Sequence, residues 1–241
     1  MRIYKHADVI QPVSHAVAQG IIEQSPCVEK KMCVIPNFVL KSNFKFELKD
    51  KLKTVLYVGR LYPDKGLEEL IKSFSELSTG SFKDWKLIIV GPHEVKFGGG
   101  GEEYLRKLKK CATGHIEFVG KVFNRNILNE YYKKSSIFVY PSLANKGEAF
   151  PLSPLEAMSY GCITIVLNLD CFKDYIVDGK NGFIVNGLKN KFDLKSTIEL
   201  QMSNYGSQEH LLIASESMLT ANSFSIDRVT NLICSKLKAL L

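Results

Sequence analysis

The sequence predicts an α/β fold, a doubly wound parallel sheet with extra C-terminal helices, on three observations. Short apolar runs recur through the middle of the chain. Stretches with apolar residues at helical spacing separate them. Glycines directly follow several of the runs, where a strand must turn. Near-continuous apolar strands are covered on both faces, as in a parallel sheet between two helical layers.

The elements follow in order. Residues 1–42 carry a helical piece around Ala7–Glu23 and a short strand, Met32–Ile35, that ends at Pro36. The sheet unit runs over about residues 52–190 with about six strands. Thr54–Val58 ends at Gly59, Lys86–Val90 at Gly91 and Ile116–Val119 at Gly120; Ile137–Tyr140, Ile163–Leu167 and Gly182–Val185 complete the set. Leu67–Leu77 puts Leu67, Leu70, Ile71, Phe74 and Leu77 on one helical stripe. Glu102–Cys111 and Ile127–Lys134 follow the same pattern, with Tyr131 and Tyr132 divided between core and surface. Gly98–Gly101 reads as a loop flexible by composition. Residues 190–241 predict two or three helices, of which Ile226–Leu241 is amphipathic. The whole divides into 1–42, 43–222 and 223–241.

Composition narrows the function. The 241 residues are 45% hydrophobic and 24% charged, which excludes a disordered or fibrous chain. The net charge of +7 favours anionic partners without choosing among them. No run reaches the roughly 18–20 apolar residues of a membrane-spanning helix. The start, MRIYKHADVIQPV, has no apolar core of a secretory signal, so a cytoplasmic protein is expected. The six cysteines form no C-x-x-C pair. Most have apolar neighbours, and they are expected as small buried thiols, with Cys162 a core residue rather than a nucleophile. No histidine falls at a zinc spacing. Asp170, Asp174 and Asp178 are expected on a solvated helix or turn, so no metal is expected. The basic runs Lys49–Lys53 and Arg106–Lys110 read as solvated helix faces, which argues against nucleic acid.

Ligands in open α/β sheets bind at the carboxyl ends of strands. Arg60 leaves the first strand there, and Lys65 stands just before the next helix. A fork and a point charge beside a helix N-terminus suit a diphosphate; a solvated pair flanking a Pro63–Asp64 turn is the plainer reading. Ser153, Pro154 and Glu156 spell a helix start with Ser153 as N-cap. Glu156 then either closes a capping box or accepts hydrogen bonds from a ribose. Glu148 lies in the preceding loop, on the same side of the fold. His93 follows a strand end and could line the same cleft.

The stretches VGRLYPDKGLEELIKSF, LIIVG, IEFVGKV, IFVYPS, GEAFPLSPLEAMSYG and DYIVDGKNGFIV, over about residues 53–190, resemble the donor-binding half of retaining GT-B glycosyltransferases of family 4 (glycosyl transferases group 1). HADVIQPVS and VIPN resemble the end of that family's N-terminal domain and its linker, and SFSIDRV the start of its last helix. The resemblance implies a Rossmann-like C-terminal GT-B domain. It implies catalytic roles for Arg60, Lys65 and Glu148. Arg60 and Lys65 would neutralise the donor diphosphate, with Gly59 beside them; Glu148 would bind the transferred sugar and Glu156 the ribose. Phe150, Pro151 and Leu152 occupy the stretch that offers backbone N–H groups, and Lys121 and Val122 the segment bordering the base. Ala149 and Pro151 replace usual glycines, and Pro151 has no N–H to give. Asn37-Phe38 stands where Asn-Gly is common.

The implied activity is transfer of a sugar from a nucleotide-diphosphate sugar to a glycan or lipid-linked acceptor, with no cofactor. The implied partners are the nucleotide sugar, the acceptor, an anionic membrane surface holding a peripheral protein, and a chain supplying the family's N-terminal domain. The alternatives are a non-catalytic sugar-nucleotide-binding subunit and an epimerase or phosphorylase of this architecture. No lysine declares itself as the pyridoxal ligand a phosphorylase needs.

Overall fold

A computed structural model describes residues 3–40, 46–144, 147–186 and 192–238. Among them, six strands form one sheet: β1 (Leu52–Val58), β2 (Lys86–Val90), β3 (Ile116–Gly120), β4 (Ser135–Tyr140), β5 (Ile163–Leu167) and β6 (Phe183–Val185). Every pairing is parallel, in the order β3-β2-β1-β4-β5-β6. The helices are α1 (His15–Gln24), α2 (Leu67–Thr79), α3 (Gly101–Cys111), α4 (Arg125–Lys134), α5 (Leu152–Ser159), α6 (Phe192–Ser203), α7 (Gln208–Ser223) and α8 (Ile226–Lys238). This is the expected doubly wound α/β class, with helices added after the sheet.

The chain steps outward from β1 to β3, returns through α4, and places β4 beside β1, with Val55 opposite Ile137 and Leu56 opposite Phe138. A crevice opens where strand order reverses, beyond the carboxyl ends of the two strands. Topology alone therefore directs attention to the chain leaving Val58 and Tyr140.

Burial explains why these segments take these forms. Every residue of β4 and of β5 is buried, which suits a strand between two helical layers. The α2 stripe of Leu67, Leu70, Ile71, Phe74 and Leu77 is buried as its spacing requires. Each such side chain contributes about 1.5–3 kcal/mol. Tyr132 is fully buried and Tyr131 only partly so.

Several expectations are corrected. The first helix begins at His15, not near Ala7, because Pro12 holds the preceding chain extended and Ser14 caps the helix, its Oγ accepting from Val17 N–H at 3.2 Å. Met32–Ile35 is no strand. It meets the Ile10 segment in one bridge, Ile10 to Met32, and Pro12 and Pro36 bring no N–H to extend a ladder. Only two of the six cysteines, Cys162 and Cys171, are buried; Cys27, Cys111 and Cys234 are exposed, because apolar neighbours in sequence do not share a helical face. The run Lys49–Lys53 is not uniformly solvated. Lys51 is 3% exposed, and its ammonium donates to the carbonyls of Tyr132 (3.2 Å) and Ser135 (2.7 Å). Tyr132 lies in the last turn of α4, where carbonyls have no helical partner. The run Arg106–Lys110 does face solvent apart from Leu108. The boundary expected between residues 42 and 43 lies outside the described residues.

Candidate active site

The first loop is shaped by one glycine. Pro63–Lys65 forms a 3-10 turn, and Gly66 starts α2 with φ +68°, in the left-handed region that glycine favours. A Cβ there would lie 2.0 Å from the carbonyl oxygen of Pro141. Its absence lets the loop after β1 abut the loop after β4, where Leu143 N–H donates to Asp64 O at 2.8 Å. Lys65 is thereby turned inward.

The Lys65 side chain is 5% exposed and that of Glu148 9%; Nζ stands 2.5 Å from Glu148 Oε1. The same oxygen accepts from Ser142 Oγ at 2.7 Å and from the Tyr140 hydroxyl at 3.0 Å. Burial first, and the Glu148 charge second, push the Tyr140 phenol well above its ordinary value, so it stays a donor. Tyr140 is fixed in turn by stacking on Tyr57, with ring centroids 5.8 Å apart. The solvated reading therefore fails for Lys65.

Arg60 is exposed and its guanidinium donates to Gly98 O at 2.8 Å. The structure brings Lys65 and Glu148 together, whereas Arg60 reaches across to the loop between β2 and α3. That loop is built rather than floppy: Gly98, Gly99, Gly100 and Gly101 donate their N–H groups to Val95, Glu94, Leu61 and His93. A Cβ on Gly99 would lie 2.2 Å from the His93 carbonyl carbon. The glycine run answers close packing, which composition could not distinguish from flexibility.

Glu156 is also corrected. Helix α5 begins two residues early, with Pro151 as N-cap and Leu152 as first helical residue. Ser153 caps nothing, and Pro154 sits within the first turn, whose N–H groups need no helical acceptor. Glu156 closes no capping box. Its Oε1 accepts from Arg125 Nη2 at 2.8 Å and its Oε2 from the Tyr132 hydroxyl at 2.9 Å. Burial, then the Glu156 charge, raises the Tyr132 phenol and keeps it a donor.

The Phe150 ring is buried against Tyr175 (5.2 Å) and Phe224 (5.7 Å), so it packs the core. Pro151 O accepts from the Tyr175 hydroxyl at 3.0 Å. Leu152 opens α5, which has no side-chain cap. Gly59 follows β1, donating its N–H to Val90 O. Lys121 Nζ sits 3.2 Å from the Phe97 ring centroid and 4.0 Å from that of Phe123, which is 78% exposed. Val122 packs partly against the core.

Glu148 borders two clefts. One, of about 580 Å³, separates α1 at Ala16, Val17 and Gly20 from Gly147–Ala149. The other, of about 450 Å³, adds Ala144 and Asn168–Cys171, and shares Ala16 and Glu148 with the first. His93 pairs with Glu102 at 2.6 Å. Asp170 pairs with Lys173, Asp174 accepts from His15, and Asp178 accepts from Ile184 N–H, so the three aspartates serve separate local contacts. No group of metal-ligating side chains occurs among the described residues.

A helix start and a lysine–carboxylate pair thus lie by the loops that leave β1 and β4. Residues 40–217 match the family model for glycosyl transferases group 1. The chain belongs to that family. A Haemophilus influenzae glycosyltransferase of uncharacterised specificity is 30% identical over 195 residues, covering 80% of this chain and 51% of that protein. A phosphatidyl-myo-inositol mannosyltransferase of Mycolicibacterium smegmatis is 30% identical over 134 residues, covering 55% of this chain and 32% of that protein. The chain spans about half the length of the first of these, or less of the second. Among solved structures, a Rickettsia africae glycosyltransferase superposes with TM-score 0.81 at 20% identity, covering 96% of this chain and 63% of that one. Anabaena HepE, solved with UDP-glucose, gives 0.80 at 18% identity, covering 98% and 65%. Both show that the fold is that of GT-B glycosyltransferases.

Sequence reasoning on this group 1 chain missed four side chains at the site: Tyr140, Ser142, Arg125 and Tyr132. The first two had a signal, since both lie where β4 ends, at the predicted carboxyl edge. Arg125 and Tyr132 had none, because their partner Glu156 is 31 and 24 residues away.

Proposed function

We propose that this chain is the donor-binding half of a retaining glycosyltransferase that takes a sugar from a nucleotide-diphosphate sugar to a glycan or lipid-linked acceptor. The observation that carries the reading is the inward-turned Lys65 paired with Glu148 beside the start of α5. As the glycosidic C–O bond breaks, negative charge grows on the departing diphosphate. Lys65, Arg60 and the uncapped first turn of α5 stabilise that charge where it develops. Lys65 has three N–H donors and commits one to Glu148, so it can serve both. Glu148 orients the sugar from its place between the two clefts. Glu156, held by Arg125 and Tyr132, faces the ribose, and Lys121 with Val122 borders the base. The acceptor attacks from the leaving-group face, so no side-chain nucleophile and no cofactor are needed. HepE, solved with UDP-glucose, supports a nucleotide-sugar donor. The mycobacterial mannosyltransferase, named for phosphatidyl-myo-inositol, supports a lipid-linked acceptor.

A calorimetric panel of UDP-, GDP- and ADP-sugars on the chain tests the reading. Micromolar to millimolar binding of at least one is the expected result, and none binding refutes it. In an assembly active for transfer, Arg60→Ala lowers turnover by a few kcal/mol of transition-state stabilisation, read as kcat.

The second reading is a non-catalytic sugar-nucleotide-binding subunit. Sugar transfer by the isolated chain would exclude it. Peripheral attachment to anionic lipid is part of the proposal too. Among the described residues no helix is long and apolar enough to cross a membrane, and vesicle pull-down with and without acidic lipid tests surface attachment.

A further inference from the structure

We infer that Tyr140 and Ser142 are positioning residues that set sugar affinity through Glu148, an inference that rests on the donor-site reading above. Three donors converge on one oxygen of a carboxylate whose side chain is 9% exposed: Lys65 at 2.5 Å, Ser142 at 2.7 Å and Tyr140 at 3.0 Å. A single oxygen saturated in this way fixes the plane of the carboxylate, and the other oxygen is left to work. Two of the donors are neutral and belong to rigid surroundings. Ser142 is fully buried, and its Oγ also stands 3.5 Å from Asp64 O. The Tyr140 ring is locked between Tyr57 on one side and Phe172 on another, at centroid distances of 5.8 and 6.2 Å.

The division of labour follows from charge. Lys65 is the one donor of the three that an arriving diphosphate attracts. As its ammonium divides its donors between phosphate and Glu148, the two neutral hydroxyls keep the carboxylate from following it toward the nucleotide. They act on the carboxylate and not on the nucleotide, since both donate toward Glu148 from the end of β4. Their effect therefore falls on the sugar part of the donor.

The test compares affinities by calorimetry for three pairs of probes: UDP-glucose and UDP, GDP-mannose and GDP, ADP-glucose and ADP. For the pair that the wild-type chain binds, the ratio of sugar-nucleotide to diphosphate affinity is the readout. Tyr140→Phe and Ser142→Ala each remove one hydroxyl with little change of shape. Each is expected to lower the ratio roughly tenfold or more, as loss of one hydrogen bond to a charged group does, with diphosphate affinity unchanged. A ratio equal to wild type in both variants overturns the inference and leaves the donor-site reading standing. Equal loss of sugar nucleotide and diphosphate affinity, with a fall in melting temperature, also overturns it and assigns the hydroxyls to the fold alone. Binding of none of the six probes by the wild-type chain overturns the donor-site reading, and this inference falls with it.

Discussion

His210 is wholly buried in α7, and neither ring nitrogen has a hydrogen-bond partner among the described residues. Desolvation first, and nearby Lys51 second, lower its pKa to about 4. The folded ring thus binds a proton more weakly than the unfolded one, whose pKa is about 6.5. As pH falls, the unfolded chain takes up the proton first. Stability present above about 6.5 is lost down to about 4, by an amount on the order of 3 kcal/mol. Urea midpoints measured across that range should fall, and His210→Leu should flatten the slope while sparing the chain two orphaned nitrogens. Nothing in the sequence marked His210: five scattered histidines look alike until burial separates them. Lys51 was hidden in the same way, inside a run of charges that reads as a wet surface. Lys65 was legible as a candidate because it precedes a helix at a strand end. Glu148 was legible as a candidate on the same side of the fold, but its direct pairing with Lys65 was not, since that depends on how the fold brings together positions 83 apart in sequence.

At the scale of elements, strands and helices were largely readable. The apolar runs fixed β2 and β5 to the residue, and the α2 stripe is buried as its period demands. Boundaries failed where several residues could begin a helix, as at Pro151 to Pro154, where proline tolerance extends through the whole first turn. The decisive junction between elements is Gly66 against Pro141. Gly66→Ala puts a methyl 2.0 Å from a backbone oxygen at a left-handed φ, so the two loops must part. A loss of about 2–4 kcal/mol in unfolding free energy is expected. The same variant should weaken nucleotide-sugar binding in the calorimetric panel, because Lys65 and Glu148 stand on either side of that junction. Lys51→Ala tests a second junction. It strips the Tyr132 and Ser135 carbonyls of their ammonium donor and leaves a gap where α4, β1 and β4 meet. A cost of about 2–4 kcal/mol is expected from denaturant unfolding.

At the scale of the molecule, family and fold were legible because several motifs fell in order along one chain. What the sequence could not show was how the amino-terminal segment sits. His15 N–H and ring both meet Asp174, at 2.9 and 3.2 Å, and Val39 N–H donates to Phe224 O at 2.9 Å. Those contacts set α1 over the cleft that Glu148 borders. Asp174→Ala should loosen α1 alone, seen as faster amide exchange over residues 15–24 while the sheet keeps its protection.

The reversal of strand order also has a bearing on synthesis. During translation β1, β2 and β3 are complete well before β4 emerges, so for that interval the future centre of the sheet is an open border of unpaired N–H and C=O groups. A ribosome-released fragment ending before Ser135 would carry this sticky apolar margin into solution. Growing chains of this design therefore depend on swift completion, or on a chaperone's shelter, until the fourth strand arrives.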